Sequence, residues 1–167
     1  MNSERMVRST DLSYEEQVAQ LNEIAPLLYR AGQEQELEHQ INQNYSWDVY
    51  SEADVFAGIL LPKDAKAYQR YTYVLVTSQP VVAEIEVTRP GDNATIINTY
   101  TFNNNNNIDG FFLNYVDESV YLHYGVLNDL NKIGEPYRWS IEARLFLNES
   151  HWEYDPICLR QMFNVVE

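Results

Sequence analysis

The N-terminal quarter of the chain carries a helical pattern of apolar positions. Apolar residues recur at intervals of three and four between residues 14 and 28, which predicts an amphipathic helix. Ser13 and Glu16 have the spacing of a capping box, in which each side chain accepts a hydrogen bond from the other residue's backbone N–H. Pro26 has no backbone donor and predicts a kink or a break. Residues 33–42 are polar and predict a second, more exposed helix.

The period of the pattern changes to two from Val55 onward, which predicts β-strands. Apolar and charged residues alternate most clearly in residues 81–89 and 137–147. The connections are too short for helical crossovers, so antiparallel pairing in a sheet or sandwich of about seven strands is expected. The predicted strands are Val55–Leu61, Arg70–Ser78, Val81–Arg89, Ala94–Phe102, Gly110–Val116, Ser119–Leu127 and Tyr137–Leu147.

The two ends of the chain are predicted to differ from this β-rich body. Residues 1–12 carry charges and little apolar pattern, so they are expected to form a flexible arm. Asp155 and Pro156 resemble an N-cap followed by proline at the first helical position, which predicts a short C-terminal helix. The fold expected is a single α+β domain over residues 13–167, in which a helix or broken helix pair packs on the antiparallel strands. Its parts are a helical segment 13–43, a β-rich segment 53–148 and the helix 156–163.

Composition adds one strong feature, a net charge of −14 over 167 residues. Nucleic acids and anionic membranes both attract clustered Lys and Arg, so neither is an expected partner. Cys158 is the single cysteine, which excludes an intrachain disulfide framework. The first eleven residues are polar and no run approaches the roughly 20 apolar residues of a membrane span. Synthesis in the cytoplasm without a signal peptide is expected, and later incorporation into a particle stays open.

Cofactor and metal motifs are missing from the sequence. There is no glycine-rich phosphate loop, so no nucleotide cofactor is expected. His39, His123 and His151 do not have metal-ligand spacing among themselves. Glu153 and Asp155 alternate with His151, but Trp152 and Tyr154 alternate with them, so the segment also fits a short edge strand. No metal is therefore expected.

Catalytic groups are equally weak in the sequence, and an enzyme is not expected. Cys158 with His151 is the only thiol–imidazole pair, and a lone cysteine between apolar neighbours more often packs as a small core residue. Glu84 and Glu86 share a strand face as a glycosidase pair might, but they also fit the solvated side of an alternating strand. An enzyme of unfamiliar type would need a histidine or cysteine with a strongly shifted pKa in a concave pocket.

The abundance of aromatic residues is the one positive anomaly, with 13 Tyr and 3 Trp. Tyrosine joins a large apolar area to a polar tip and is enriched at protein interfaces. Strands also favour tyrosine for packing, so both interpretations stay open. The candidate interface residues form three groups along the chain: Tyr45, Trp47 and Tyr50; Tyr68, Tyr71 and Tyr73 beside Arg70; and Trp152 and Tyr154.

These observations favour a non-enzymatic structural or assembly subunit that binds other proteins, or copies of itself, in a larger complex such as a virion, a tail-like injection machine or a secretion apparatus. The first alternative is an acidic inhibitor, immunity protein or DNA mimic that neutralises a basic partner, which requires carboxylates concentrated on one face. The second is a carbohydrate-binding β-sandwich that stacks sugar rings on Trp47, Trp139 or Trp152. Trp139 fits this alternative poorly, because it lies on the apolar face of its strand.

Overall fold

Two helices and two β-sheets make up the part of the chain that the structure describes. The computed structural model describes residues 13–31, 35–52, 55–79, 81–88, 95–102, 112–115, 120–128, 130, 138–146 and 156–166. The elements are α1 (Tyr14–Ala31), α2 (Gln35–Asn44), β1 (Tyr45–Glu52), β2 (Val55–Pro62), β3 (Asp64–Lys66), β4 (Tyr71–Thr77), β5 (Val81–Thr88), β6 (Thr95–Phe102), β7 (Phe112–Tyr115), β8 (Val120–Leu127), β9 (Arg138–Phe146) and β10 (Ile157–Val166). The predicted α+β class is confirmed.

The strands form two five-stranded sheets that face each other. The first sheet has the order β1-β2-β4-β8-β7 and the second has the order β3-β10-β9-β5-β6. Neighbouring strands pair antiparallel, except that β3 runs parallel to β10 over three residues. The main core lies between the sheets, where residues such as Leu75, Ile85, Trp139, Ile141 and Phe163 are buried.

The two helices cover the outer face of the first sheet. α1 packs on β2 and β4, and α2 packs on α1 and β1. The apolar stripe of α1 forms a second core with the sheet, through residues such as Leu21, Leu28, Leu60, Val74 and Val76. All seven residues of β4 are therefore buried, because one face of the strand meets the second sheet and the other meets α1.

The seven predicted strands are all present, and the alternation on β5 and β9 is confirmed. Val81, Ala83, Ile85 and Val87 are buried on β5, and the residues between them are half-exposed. Trp139 to Leu145 on β9 follow the same inward period. Such alternation arises because successive side chains of a strand point to opposite faces of the sheet.

The C-terminal helix predicted over residues 156–163 is wrong. Residues Ile157–Val166 form β10, which pairs antiparallel with β9 over eight residues. Leu159, Phe163 and Val165 are buried with a period of two, because this strand completes the second sheet. Pairing along a whole neighbouring strand therefore outweighs the local helix-start signal of Asp155 and Pro156.

Two further strands were not expected from the sequence, and of the kink or break predicted at Pro26 the break is absent. β1 lies between the predicted helical segment 13–43 and the predicted β-rich segment 53–148, and β3 is a three-residue strand before β4. α1 continues to Ala31 through Pro26, so the helix is not broken there. The predicted arm over residues 1–12 lies outside the described residues.

The capping box at the start of α1 is confirmed and leads to a first prediction. The Ser13 backbone N–H donates to Glu16 Oε1 at 2.9 Å, and the Glu16 N–H donates to Ser13 Oγ at 3.2 Å. Ser13→Ala removes one of these acceptors, and we expect the free energy of unfolding to fall by about 1 kcal/mol in urea denaturation. Ser51→Ala, at an exposed position of β1, is the control and should change stability by less than about 0.5 kcal/mol. Equal losses in the two variants would contradict the capping role.

Candidate functional site

Three of the candidate interface tyrosines are core residues. Tyr71 and Tyr73 lie between the two sheets, and Tyr45 lies under the helices. Burial, and secondarily the charge of Glu23, raises the pKa of Tyr45 to about 12. Burial also raises the pKa of Tyr71 well above its ordinary value, and the Tyr71 hydroxyl donates to the Pro62 carbonyl. The rings of these three residues stabilise the fold and present no surface to a partner.

Trp47 and Tyr50 lie on β1 and are half-buried. Trp47 packs against the core under the helices, and its indole N–H donates to Asn42 Oδ1. Tyr50 packs against the core between the sheets, and its hydroxyl donates to Glu52 at 2.6 Å. Both side chains are therefore only partly accessible to a partner. Trp152 and Tyr154 lie outside the described residues.

Tyr68 is the large apolar side chain that stands out from the described surface, with 71% of its area exposed. It lies in the tight turn between β3 and β4, where the Gln69 N–H donates to the Lys66 carbonyl at 3.2 Å. Its backbone has a φ of 64°, in the left-handed region. This region favours glycine, because the Cβ of any other residue comes too close to the following carbonyl, at a cost of roughly 1–2 kcal/mol.

The backbone around Tyr68 is fixed by bonds to both neighbouring segments. The Tyr68 N–H donates to the Leu130 carbonyl at 2.7 Å, and the Ala67 N–H donates to the Val166 carbonyl at 2.8 Å. Both bonds tie the turn to the body of the protein. The ring therefore projects into solvent from a backbone that is held on both sides.

Two basic residues lie close to Tyr68 along the chain, and one of them contacts an aromatic ring of α1. Lys66 and Arg70 flank it along the chain, and the Arg70 guanidinium lies 5.3 Å from the ring centre of Tyr14, as in a cation–π contact. Gln17 joins α1 to β4 at this point, since its side chain donates to the Arg70 carbonyl at 3.1 Å and accepts from the Thr72 N–H at 3.0 Å. We call this surface the Tyr68 corner and define it by Tyr14, Lys66, Tyr68, Gln69 and Arg70.

Part of the Tyr68 corner could be found from the sequence and part could not. Tyr68 and Arg70 were recognised as neighbours along the chain. Tyr14 joins them only because α1 begins beside the end of the β3–β4 turn. The turn itself contains neither glycine nor proline, so no local residue signals it.

Glu84 and Glu86, the possible glycosidase pair, both form ion pairs with Arg144 on the outer face of the second sheet. Arg144 Nε lies 3.3 Å from Glu84, and Arg144 Nη1 lies 3.1 Å from Glu86 and 3.6 Å from Glu142. The hydrogen bond with Glu86 is the main cause that raises the pKa of Arg144. This arrangement fits a solvated ionic cluster across β5 and β9.

The histidines and the cysteine do not form a common site in the part of the chain that is described. His123 is fully buried between the sheets, where burial lowers its pKa to about 3. His39 is exposed on α2, Cys158 is exposed on β10, and His151 lies outside the described residues. Within the described ranges, no three His, Cys, Asp or Glu residues are grouped so that they could hold a metal ion.

The helical layer is acidic. The described parts of α1 and α2 carry Arg30 as their one basic residue besides His39, against five glutamates: Glu15, Glu16, Glu23, Glu36 and Glu38. All but Glu38, which is half-buried, are exposed. Five glutamates against one arginine give the described parts of the two helices a net charge of −4. Neither helix is long and apolar enough to cross a membrane.

The tryptophans of the described residues do not form an exposed row. Trp139 is buried between the sheets, with its ring 6.3 Å from that of Phe163. Trp47 is half-buried, as described above. The stacking surface required by the sugar-binding alternative is thus not formed by these two residues.

Comparison with known proteins finds little similarity. The sequence matches no protein-family model, and no curated protein is similar to it at a significant level. One solved structure that resembles the fold is described as the crystal structure of the C-terminal domain of wzt. It aligns with a TM-score of 0.42 and 9% sequence identity, over 72% of this chain and 78% of that chain.

Proposed function

We propose that this protein is a non-enzymatic assembly subunit, and that it binds a protein partner through the Tyr68 corner. The observation that carries the proposal is the combination of exposure and backbone strain at one residue. Tyr68 is 71% exposed and has a φ of 64°. A glycine would relieve this conformation, so a tyrosine here lowers stability without improving the core.

The chemistry of the Tyr68 corner indicates the class of partner. Tyrosine and arginine are enriched among residues that dominate binding energy at protein interfaces. Lys66 and Arg70 flank the ring, so a partner segment that combines an apolar pocket with a carboxylate fits the surface. The bonds that hold the turn limit the conformational entropy that its backbone loses on binding.

Replacing Tyr68 by glycine tests this proposal by separating stability from binding. We expect Tyr68→Gly to raise the free energy of unfolding by about 1 kcal/mol, because the left-handed strain is released. We also expect it to weaken partner binding by at least about tenfold, which corresponds to a loss of roughly 1.4 kcal/mol of binding free energy. Truncation of an interface anchor commonly costs more than this. Urea denaturation measures the first effect. Quantitative affinity capture from the native source, followed by titration of the retained partner, measures the second.

The control for this experiment is Gln69→Ala, which changes an exposed residue of the same turn while keeping the aromatic ring. It should leave partner binding near the wild-type level. A Tyr68→Gly variant that is more stable and still binds the same partners with unchanged affinity would refute the role of the corner.

One observation favours a second candidate function, that of an acidic inhibitor or immunity protein. The helical layer concentrates five glutamates, Glu15, Glu16, Glu23, Glu36 and Glu38, on one side of the first sheet. A basic partner docked there would associate quickly at low salt and more slowly as salt screens the charges. Loss of binding in a Glu23→Gln, Glu36→Gln double variant, with Tyr68→Gly unaffected, would select this alternative.

A further inference from the structure

The strand edges on one side of the sandwich are covered by side-chain hydrogen bonds, whereas the edge strand on the other side is not seen to be covered within the described residues. Where β1 lies beside the first half of β10, side chains form hydrogen bonds with backbone N–H and C=O groups that no neighbouring strand uses. Asp48 accepts from the Arg160 N–H at 3.1 Å, Ser46 donates to the Met162 carbonyl at 3.0 Å, and Gln161 donates to the Trp47 carbonyl at 2.7 Å. These bonds join the two sheets and block another strand from pairing there.

The opposite side of the second sheet ends in β6. All eight residues of β6 pair with β5, and within the described residues no strand pairs with its other edge. Its sequence, Thr-Ile-Ile-Asn-Thr-Tyr-Thr-Phe, has no charged residue, proline or glycine. Other outer strands differ, since β1 contains Asp48 and Glu52, β3 contains Asp64 and Lys66, and β7 has only four residues.

Charges on the neighbouring strand are directed away from this edge. Glu84 and Glu86 of β5 stand opposite Thr99 and Ile97 of β6. Both carboxylates bond to Arg144, which lies on β9, the strand on the other side of β5. A strand added beside β6 would therefore not meet two free carboxylates at this position.

We propose that β6 is a homodimer interface, at which it pairs antiparallel with the β6 of a second copy. Long edge strands are normally protected from such pairing by charges, proline or short length, and β6 has none of these protections. Two copies related by a two-fold axis present the same strand to each other, so an uncharged strand meets no like charge opposite itself. With the two-fold axis at residue 99, seven residues of β6 pair, and at about 3.4 Å each they give a shared ladder about 24 Å long, which makes one ten-stranded sheet from the two second sheets. The proposal deepens the assembly role and rests on it, because it names a second copy as one of the partners.

The response of the dimer to salt follows from the net charge of each copy. Two chains of charge −14 repel each other, and raising the ionic strength from about 0.1 M to about 1 M shortens the screening length from about 10 Å to about 3 Å. We therefore expect the homodimer to become tighter with salt. A contact between the acidic helical layer and a basic partner would become weaker under the same change.

Sedimentation equilibrium of the full chain and of Thr99→Lys tests the interface. The wild type should show a species of twice the chain mass of 19.5 kDa. A lysine at position 99 stands opposite Glu84 within the chain, so it is not expected to destabilise the fold. At the interface, however, it places the lysines of the two copies close together, and these like charges repel. We expect its dimer dissociation constant to rise at least tenfold. Ala19→Lys, at an exposed position of α1, makes the same charge change and should leave the dimer intact.

Cross-linking gives a second measurement that does not depend on how well Thr99→Lys folds. In a Cys158→Ser background, Thr99→Cys faces its own counterpart when the two-fold axis lies at residue 99, and it should form a disulfide-linked dimer under mild oxidation. Ser51→Cys on β1 should not. A wild type that is monomeric at all concentrations and salts, or a dimer that Thr99→Lys leaves unchanged, overturns the proposal. Partner binding that still depends on Tyr68 would then leave the assembly role standing without this interface.

Discussion

Replacing Gly125 with alanine is expected to lower the free energy of unfolding by about 3 kcal/mol, since overpacking of a filled core typically costs 1–3 kcal/mol and occasionally more. Gly125 on β8 stands directly opposite Tyr73 on β4, and the Tyr73 ring crosses the space where a side chain would be. A Cβ at position 125 would lie 2.6 Å from Tyr73 Cε1 and closer still to Cζ. The ring is fully buried between the sheets, so it has no room to move away.

A double-mutant cycle with Tyr73→Leu checks this explanation by chemical denaturation. Removing the ring creates a cavity by itself, but it also makes space for the new methyl group. We therefore expect Gly125→Ala to cost much less in the Tyr73→Leu background, with a coupling energy of about 1–3 kcal/mol. Gly58→Ala is the matched control, since its Cβ would meet the end of the Leu28 side chain at 2.8 Å, and a methyl group can shift more easily than a ring. Equal costs in both backgrounds would show that the ring is not the obstacle.

Acid is expected to destabilise the protein through His123. Burial lowers the pKa of His123 to about 3 in the folded state, whereas the unfolded chain has the ordinary value of 6.5. The folded state thus favours the neutral imidazole. The stability that this pKa difference contributes is fully present above pH 6.5 and is lost as pH falls towards 3. The loss is about 2 kcal/mol at pH 5 and roughly 5 kcal/mol below the folded pKa.

The hydrogen bonds of His123 support a fixed neutral tautomer. The Thr77 hydroxyl donates its single proton to the Gln79 carbonyl at 2.7 Å, so it accepts from His123 Nε2, which lies 3.1 Å away. The Tyr121 ring stacks beside the imidazole at 6.4 Å. Protonation would place a charge in this buried position, where the only cause that shifts the pKa is desolvation.

Urea denaturation from pH 8 to pH 4 in the wild type and in His123→Gln measures the effect. The variant has no imidazole to protonate, so its stability should fall less steeply, and the difference between the two curves isolates the His123 contribution from the titration of the carboxylates. His39→Gln, at an exposed position of α2, should follow the wild-type curve. An NMR titration in which the His123 ring protonates near pH 6.5 in the folded protein would contradict the burial argument.

Local signals in the sequence were sufficient for several elements of the fold. The capping box at Ser13 and Glu16 marks the start of α1, because both groups lie within one helical turn and need no tertiary partner. The alternation on β5 and β9 identifies those strands and their buried faces, since one face of each meets the core and the other meets solvent. The seven strands predicted from the period of the pattern are all found.

The candidate site could be predicted only in part. Tyr68 and Tyr71 are three residues apart and have the same residue type, yet one is 71% exposed and the other is buried between the sheets. Composition and spacing cannot separate them, because the difference arises from a turn that lacks glycine and proline. The burial of His123 could not be predicted from the sequence either, since the residue pattern of β8 does not distinguish it from the other strands.

Sequence by itself determined both described helices, seven of the ten described strands and which side of β5 and β9 faces inward, because these properties depend on residues a few positions apart. Tertiary structure decided which strands pair with each other and which faces are buried. It made residues 157–166 a strand beside β9, buried both faces of β4 under α1 and the second sheet, and left β6 at an edge. The physical reason is that backbone hydrogen bonds between strands and the burial of a second face are supplied by residues far away in the chain, and no local pattern encodes them.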